Sequence, residues 1–262
     1  MSKVKVYCAV PTTGTVSDTH HYFWRNAEKK YGDRIEFVWP EACVRRIFHD
    51  YARNSHVEEF LKTDADILFF LDSDVCPPDE IFDLVTEDGD KWQCAGAPYP
   101  VFMPANQSAD RRPVVLFTAY KKNKQGGLSA SDVPRSGKEY IDGLATGCLF
   151  IKRKVLEQME RPWFAFEYED KTRLMTAGED LSFCRKVGDL GYNFFVDYSK
   201  VCRHYKNVCL LEVNAYAMDY AKRTLERYVE QLEANMLAAM QAKQTKPKLV
   251  SPTQALIQKF RT

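Results

Sequence analysis

The sequence predicts an α/β fold: a mostly parallel sheet flanked by helices. Three observations carry that expectation. The first is Ile67-Leu68-Phe69-Phe70-Leu71, an unbroken apolar run that ends at Asp72-Ser73-Asp74-Val75. A strand that is apolar at every residue is covered on both faces, as in a parallel sheet enclosed by helices. The second is the alternation of short strand-like runs with longer helical patterns, whose crossovers require parallel pairing. The third is size, since 262 residues, 45% hydrophobic and 28% charged, suffice for a substantial core. Asp72 and Asp74 stand two apart, so on extended chain they face one side, at the strand end where open α/β sheets bind ligands. Two adjacent carboxylates repel, and a cation relieves that repulsion.

In chain order, Lys3 to Val10 alternates polar and apolar residues and reads as the first strand, closing at Pro11-Thr12-Thr13-Gly14. Ser17 or Asp18 caps a helix to Tyr31, with Gly32 in the stop position. Arg34 to Trp39 reads as a second strand, and Val44 to Leu61 as a helix that carries Arg53-Asn54. After the acidic strand, Pro78 opens a short helix with Asp79 and Glu80 in its first turn, where the dipole favours acids. Lys91 to Ala97 and Val114 to Tyr120 are further strands. The polar segment from Lys121 to Lys138, with Lys122, Lys124, Gly126-Gly127 and Arg135, is either a lid that orders on ligand binding or a solvated surface loop. Gly143 to Gly147 precede the apolar Leu149-Phe150-Ile151 and let the backbone approach a ligand or a neighbouring element. Glu179-Asp180 open a helix that ends near Gly188 to Gly191, a position expected to depress the Asp180 pKa. Tyr192 to Val196 is the last strand of the sheet.

From Val208 onward, apolar residues at three- and four-residue steps predict a long amphipathic helix that packs on the preceding part or on a second subunit. Residues 243–262 carry Lys243, Lys246, Lys248, Lys259 and Arg261 with no acid, the composition of a flexible basic tail. The net charge of +1 gives no global pull toward nucleic acid or anionic membrane. Eight cysteines without a C-x-x-C pair read as buried thiols of a reducing compartment, and no apolar run spans a bilayer. The expectation is a soluble cytoplasmic protein.

Arg53-Asn54, Asp72-Ser73-Asp74, Gly143 to Gly147, Glu179-Asp180 and His204 together resemble, in order and spacing, the GT-A fold glycosyltransferases of the broad family 2 group, over roughly residues 3–206. The resemblance implies a GT-A (Rossmann-like) catalytic domain at 1–206, with a nucleotide-sugar half at about 1–100 and an acceptor half at about 101–206. A helix at 207–243 and a tail at 244–262 follow. It further implies a nucleotide-sugar donor, a UDP-sugar above all, bound by Pro11, Thr12, Thr13, Arg53, Asn54, Asp72 and Ser73. Mn²⁺ or Mg²⁺ would sit on the D-x-D motif through Asp72 and Asp74, with His204 as a further ligand. Asp180, beside Glu179, would act as base in an inverting transfer, and Gly143, Thr146, Gly147, Trp163 and Phe164 would hold the acceptor. Acceptors in the group include glycans, lipids and proteins, and phage members modify hydroxymethylated bases in DNA.

The chemistry accounts for these residue types. A leaving nucleoside diphosphate gathers negative charge that a Lewis acid stabilises, and a positioned base typically adds ~10² to 10⁴ in rate. Ordinary structural roles compete at each position. Asp72 and Asp74 can start a turn, Asp180 can cap its helix, Arg53 can pair with a surface acid, His204 can be structural, and Thr12 can simply shape its loop. Two other functions stay open: nucleotidyl transfer, with the paired acids holding metal around a triphosphate, and a non-catalytic nucleotide-sugar-binding scaffold.

Overall fold

The computed structural model describes residues 2–12, 16, 18–41, 48–108, 111–131 and 135–244, in two units that divide after Asn207. Thr13, Ser17, the start of the helix expected from Val44 and the tail beyond 244 lie outside the described residues. In the first unit a seven-stranded sheet runs in the order Ile35–Val38, Val4–Ala9, Ile67–Leu71, Cys148–Lys152, Cys94–Gly96, Phe194–Asp197, Lys138–Ile141. Five of these strands share one direction, and Cys148–Lys152 and Lys138–Ile141 oppose it. The reversal has a topological cause. After Gly96 the chain leaves at the carboxyl end of the sheet and builds a small antiparallel sheet from Pro100–Met103, Val114–Lys122, Leu128–Ser131 and Gly143–Leu144. It re-enters from that same end, so the strand it forms must run backward.

This re-entry positions the site. Cys148 pairs with Leu71, so Gly147 lies beside Asp72, whose N–H donates to the Gly147 carbonyl at 3.0 Å. The acidic strand is buried at every residue, as its composition requires. Its two faces feed two cores: Phe69 packs with Phe82 and Phe150, and Phe70 with Phe164 and Phe183. The Phe69 and Phe150 rings stack at 4.0 Å across the antiparallel pair.

Two local expectations are corrected. The short helix spans Asp83–Thr86 rather than starting after Pro78, because the residues before it close three-residue turns, the Ile81 N–H on the Pro78 carbonyl at 3.1 Å and the Asp83 N–H on the Glu80 carbonyl at 3.0 Å; Asn26 and Lys30 of the helix Asp18–Tyr31 reach Asp79 and Glu80 at 3.2 and 3.0 Å. The segment after Lys121 is not a free basic loop, since Leu128–Ser131 pairs with Val114–Lys122. Three of its cations are paired: Lys121 and Arg135 lie 2.6 and 2.9 Å from Glu139, and Lys138 lies 2.6 Å from Asp88. The second unit is a helix, Leu210–Gln244. No described helix is long and apolar enough to cross a membrane.

Phe150 anchors the stack between the two central strands, so Phe150→Ala should cost ~3 to 5 kcal/mol. Urea denaturation followed by tryptophan fluorescence measures this, and a loss below ~1 kcal/mol would show that the ring carries little of the core.

Candidate active site

Arg53 sits on the inward face of the helix His49–Lys62 and is 4% exposed. A buried guanidinium is stable only when paired. Asp72 accepts from Nη1 at 3.0 Å and from Nη2 at 3.1 Å, and Glu179 accepts from Nε at 3.4 Å. Burial opposes the charge on Arg53, but Asp72 and Glu179 outweigh it and hold its pKa above the ordinary value. Both Asp72 oxygens thereby bond Arg53. Glu179, itself buried, faces the guanidinium. Asn54 holds a backbone peptide. Its amide donates to the Phe164 carbonyl at 2.7 Å and accepts from the Phe164 N–H at 3.1 Å, so it clamps that peptide.

The Asp72 carbonyl closes the D-x-D turn. It accepts from the Val75 N–H at 2.9 Å and from His20 Nε2 at 3.1 Å, so Ser73 sits at the apex of a fixed turn. Trp24 Nε1 donates to His20 Nδ1 at 3.2 Å, which sets one neutral tautomer. Burial, ahead of the favourable Asp72 carbonyl, lowers the His20 pKa in keeping with that state.

Asp74 belongs to a different set. The strand Arg203–His204 pairs antiparallel with Val75–Cys76, and the Tyr205 N–H donates to the Asp74 carbonyl at 2.9 Å. This brings His204 Nε2 to 3.6 Å from Asp74 Oδ2. His204 Nδ1 lies 2.8 Å from the Pro100 carbonyl, which can only accept, so Nδ1 carries a hydrogen and Nε2 is the nitrogen that faces Asp74. Lys206 bonds the same carboxylate. Burial opposes ionisation of Asp74, but the bonds from His204 and Lys206 prevail and hold its carboxyl well below the usual range.

Asp180 lies at the start of the helix Glu179–Asp189, part-buried, and one of its oxygens accepts from the Leu181 N–H at 2.8 Å. Its pKa is raised, first by burial and then by the neighbouring Glu179 charge. The expected depression is therefore corrected: desolvation outweighs the helix dipole. Tyr99 and Tyr120, which the sequence reading passed over, both feel the Asp180 charge, and Tyr99 also feels Asp72 and Arg53. The Tyr99 ring lies 4.9 Å from His204 and links the two acidic sets. Its signal was Pro98-Tyr99-Pro100, a stiff segment leaving the carboxyl end of a strand. The signal for Lys206 was its place two residues after His204.

The expected acceptor residues divide. A Cβ on Gly147 would stand 2.7 Å from the Tyr99 hydroxyl, so this glycine admits Tyr99. Gly143 faces Cys184 in the same way, at 3.1 Å from its Sγ. Thr146 is buried, with its hydroxyl unpartnered among the described residues. Trp163 and Phe164 are core residues at 3% and 0% exposure, with no face open to a sugar. Trp163 Nε1 donates to the Leu156 carbonyl at 2.9 Å, and Phe164 stacks on Phe183 at 4.5 Å.

Beside the first strand lies a cavity of ≈460 Å³, lined by Val10, Thr12, His20, Trp24, Trp39 and His56 among others. Pro11, between Val10 and Thr12 in the chain, is not among its lining residues. His56 is 1% exposed and neither ring nitrogen has a partner among the described residues. Burial, then the Arg53 charge, pushes its pKa down to about 4, so it is neutral at pH 7.

A divalent cation fits Asp74 and His204 chemically: one ionised oxygen and one imidazole nitrogen aimed at each other, with the far ring nitrogen anchored on a carbonyl as metal-binding histidines are. Among the described residues no third His, Cys, Asp or Glu joins them. Two protein ligands leave positions for phosphate oxygens and water, as Mg²⁺ and Mn²⁺ nucleotide sites do.

No protein-family model matches the chain, and no curated protein matches its sequence. Among solved structures it is similar to the crystal structure of A197 from STIV, with a TM-score of 0.50, 21% identity, and 78% of this chain and 86% of that chain covered. It is also similar to the crystal structure of GalNAc-T7 with UDP, GalNAc and Mn²⁺, with a TM-score of 0.44, 10% identity, and 79% of this chain but 44% of that chain covered. The architecture is a mixed α/β one, with a mostly parallel sheet flanked by helices and a long C-terminal helix.

Proposed function

We propose that this protein is a glycosyltransferase that moves a sugar from a nucleoside-diphosphate donor to a hydroxyl acceptor, with inversion and with a divalent cation. The observation that carries the reading is the approach of His204 Nε2 to Asp74 at the carboxyl end of the sheet, 3.6 Å apart. Bound there with the donor, Mn²⁺ or Mg²⁺ would supply Lewis-acid stabilisation of the departing diphosphate. The chain's own residues do the rest. The cavity holds the base, the Trp24 and Trp39 side chains giving it apolar walls and His56 a neutral polar floor. Lys206, already at Asp74, supplies a mobile cation to the phosphates. Arg53 keeps Asp72 and the D-x-D turn in place.

Asp180 takes the proton from the acceptor hydroxyl as the acceptor oxygen bonds to the sugar C1. The C1–O bond to the diphosphate breaks and its electron pair leaves with the diphosphate. A carboxylate whose pKa is raised is a stronger base than an ordinary aspartate.

Titration calorimetry with UDP-sugars, Mn²⁺ and chelator tests the donor half. Asp74→Ala and His204→Ala should each weaken Mn²⁺-dependent binding by more than the ~10- to 100-fold typical of outer-shell changes. Binding that ignores both substitutions and the chelator would remove the metal from the reading.

Asp180→Asn should leave donor binding near wild type and cut transfer by ~10² to 10⁴. The wild-type transfer rate should fall as pH drops through the raised Asp180 pKa, because only the ionised form accepts a proton. The same shift has a stability sign. A carboxyl whose folded pKa lies above its unfolded value stabilises the fold relatively at low pH, and that contribution is lost as pH rises through the folded pKa. Asp180→Asn should therefore raise the melting temperature at pH 7 relative to wild type and lose that advantage in acid. Normal transfer by Asp180→Asn would assign the base elsewhere.

A further inference from the structure

The helix Leu210–Gln244 has a feature the catalytic reading does not use. Leu211, Met218, Leu225 and Leu232 recur at every seventh residue, and Ala239 extends the column. On its flank Ala215, Lys222, Val229 and Met236 repeat with the same spacing. These columns are the d and a positions of a heptad, the period of helices that wind around one another. The core column is open to solvent: Leu211 is 79% exposed, Met218 67%, Leu225 63% and Leu232 44%.

We propose that this helix forms a parallel, in-register coiled coil with the same helix of a second copy of the chain. Three observations select that occupant. The period needs a partner helix with a matching seven-residue repeat, which a second copy supplies by identity. The charges select the orientation. Glu212, Asp219, Glu226 and Glu233 fill the column next to the d row on one side, the e positions. Antiparallel pairing sets that acidic column against itself, whereas parallel pairing sets it against the uncharged Asn214, Ala221, Tyr228 and Asn235 at g. Lys222, alone among the four a residues in being charged, is the kind of polar insertion that fixes register at some cost in stability, and Glu226 lies 3.9 Å from it within the helix.

A membrane surface is a poorer occupant. Between residues 210 and 240, Glu212, Asp219, Glu226, Glu230 and Glu233 outnumber Lys222, Arg223 and Arg227, the reverse of a cationic interfacial helix. A 35-residue helix gives a seam of roughly 50 Å, long enough for an interface of standard size, ~1,600 Å².

Sedimentation equilibrium of the full chain at micromolar concentration should return twice the 30.3 kDa of one chain. Leu225→Glu with Leu232→Glu should halve that mass while far-UV circular dichroism is kept. In a Cys209→Ser background, Met218→Cys should form a covalent dimer on mild oxidation, as in-register parallel helices require. If the double variant loses its fold, Lys222→Leu decides instead: dissociation should shift to lower concentration. A monomeric wild type overturns the proposal, as does a dimer insensitive to the double variant or to Lys222→Leu, or one that Met218→Cys fails to cross-link. So does a monomer that sediments with phosphatidylserine vesicles.

Discussion

The buried guanidinium of Arg53 is the constraint on which the site depends. It draws in two acids from distant stretches of the first unit, Asp72 nineteen residues away and Glu179 one hundred and twenty-six away. Breaking such a buried pairing by removing one partner typically costs ~3 to 5 kcal/mol, because the charge left behind has no solvent to turn to. The consequence is geometric. The turn after the acidic strand and the start of the helix Glu179–Asp189 are tied to one side chain, so both acidic motifs face the same end of the sheet.

Each motif is then split the same way. In Asp72-Ser73-Asp74 the first acid is engaged by Arg53 and the second is left to His204 and Lys206; in Glu179-Asp180 the first is again engaged and the second remains. The two remaining carboxyls sit in opposite environments. Burial opposes the charge on Asp74, but cationic and imidazole neighbours overcome it and keep it ionised far into acid. Asp180 has burial and a like charge acting on it together, and its pKa rises. Pairs of acids whose surroundings drive their pKa values apart are how one site holds a charge with one carboxyl and moves a proton with the other. That division supports giving the cation to Asp74 and the proton to Asp180, rather than the reverse.

What could be read in advance follows the range of the interaction that decides each feature. The acidic strand declared itself because five consecutive apolar residues have few other uses, and its end placed the acids correctly. The pairing of His204 with Asp74 was legible only through motif order, since the strand Arg203–His204 has two residues and no pattern of its own. Features set by distant contacts were misread. Asp180 was expected to be depressed by a helix dipole, a local effect, whereas its desolvation comes from the tertiary packing around it. Trp163 and Phe164 were expected to face a sugar, yet an aromatic pair in a loop reads the same whether it lines a mouth or fills a core. Asn54 was missed as a clamp because its partner, the Phe164 peptide, is a backbone group and leaves no mark in the sequence.

The C-terminal helix shows the same limit from the other side. Apolar residues at three- and four-residue steps fit both a helix that covers a globular core and one that winds around another helix. The two differ in drift: a straight helix turns its stripe by ~20° per heptad, so three heptads carry it ~60° away. Leu211, Met218, Leu225 and Leu232 hold one column over that whole distance, and on a straight helix the last would no longer face what the first faces. Only supercoiling keeps them on a common line, and supercoiling needs a second helix with the same repeat. Packing against a compact core imposes no such column, which makes the strict seven-residue spacing, more than the amphipathic stripe itself, the part of this helix that asks for a partner.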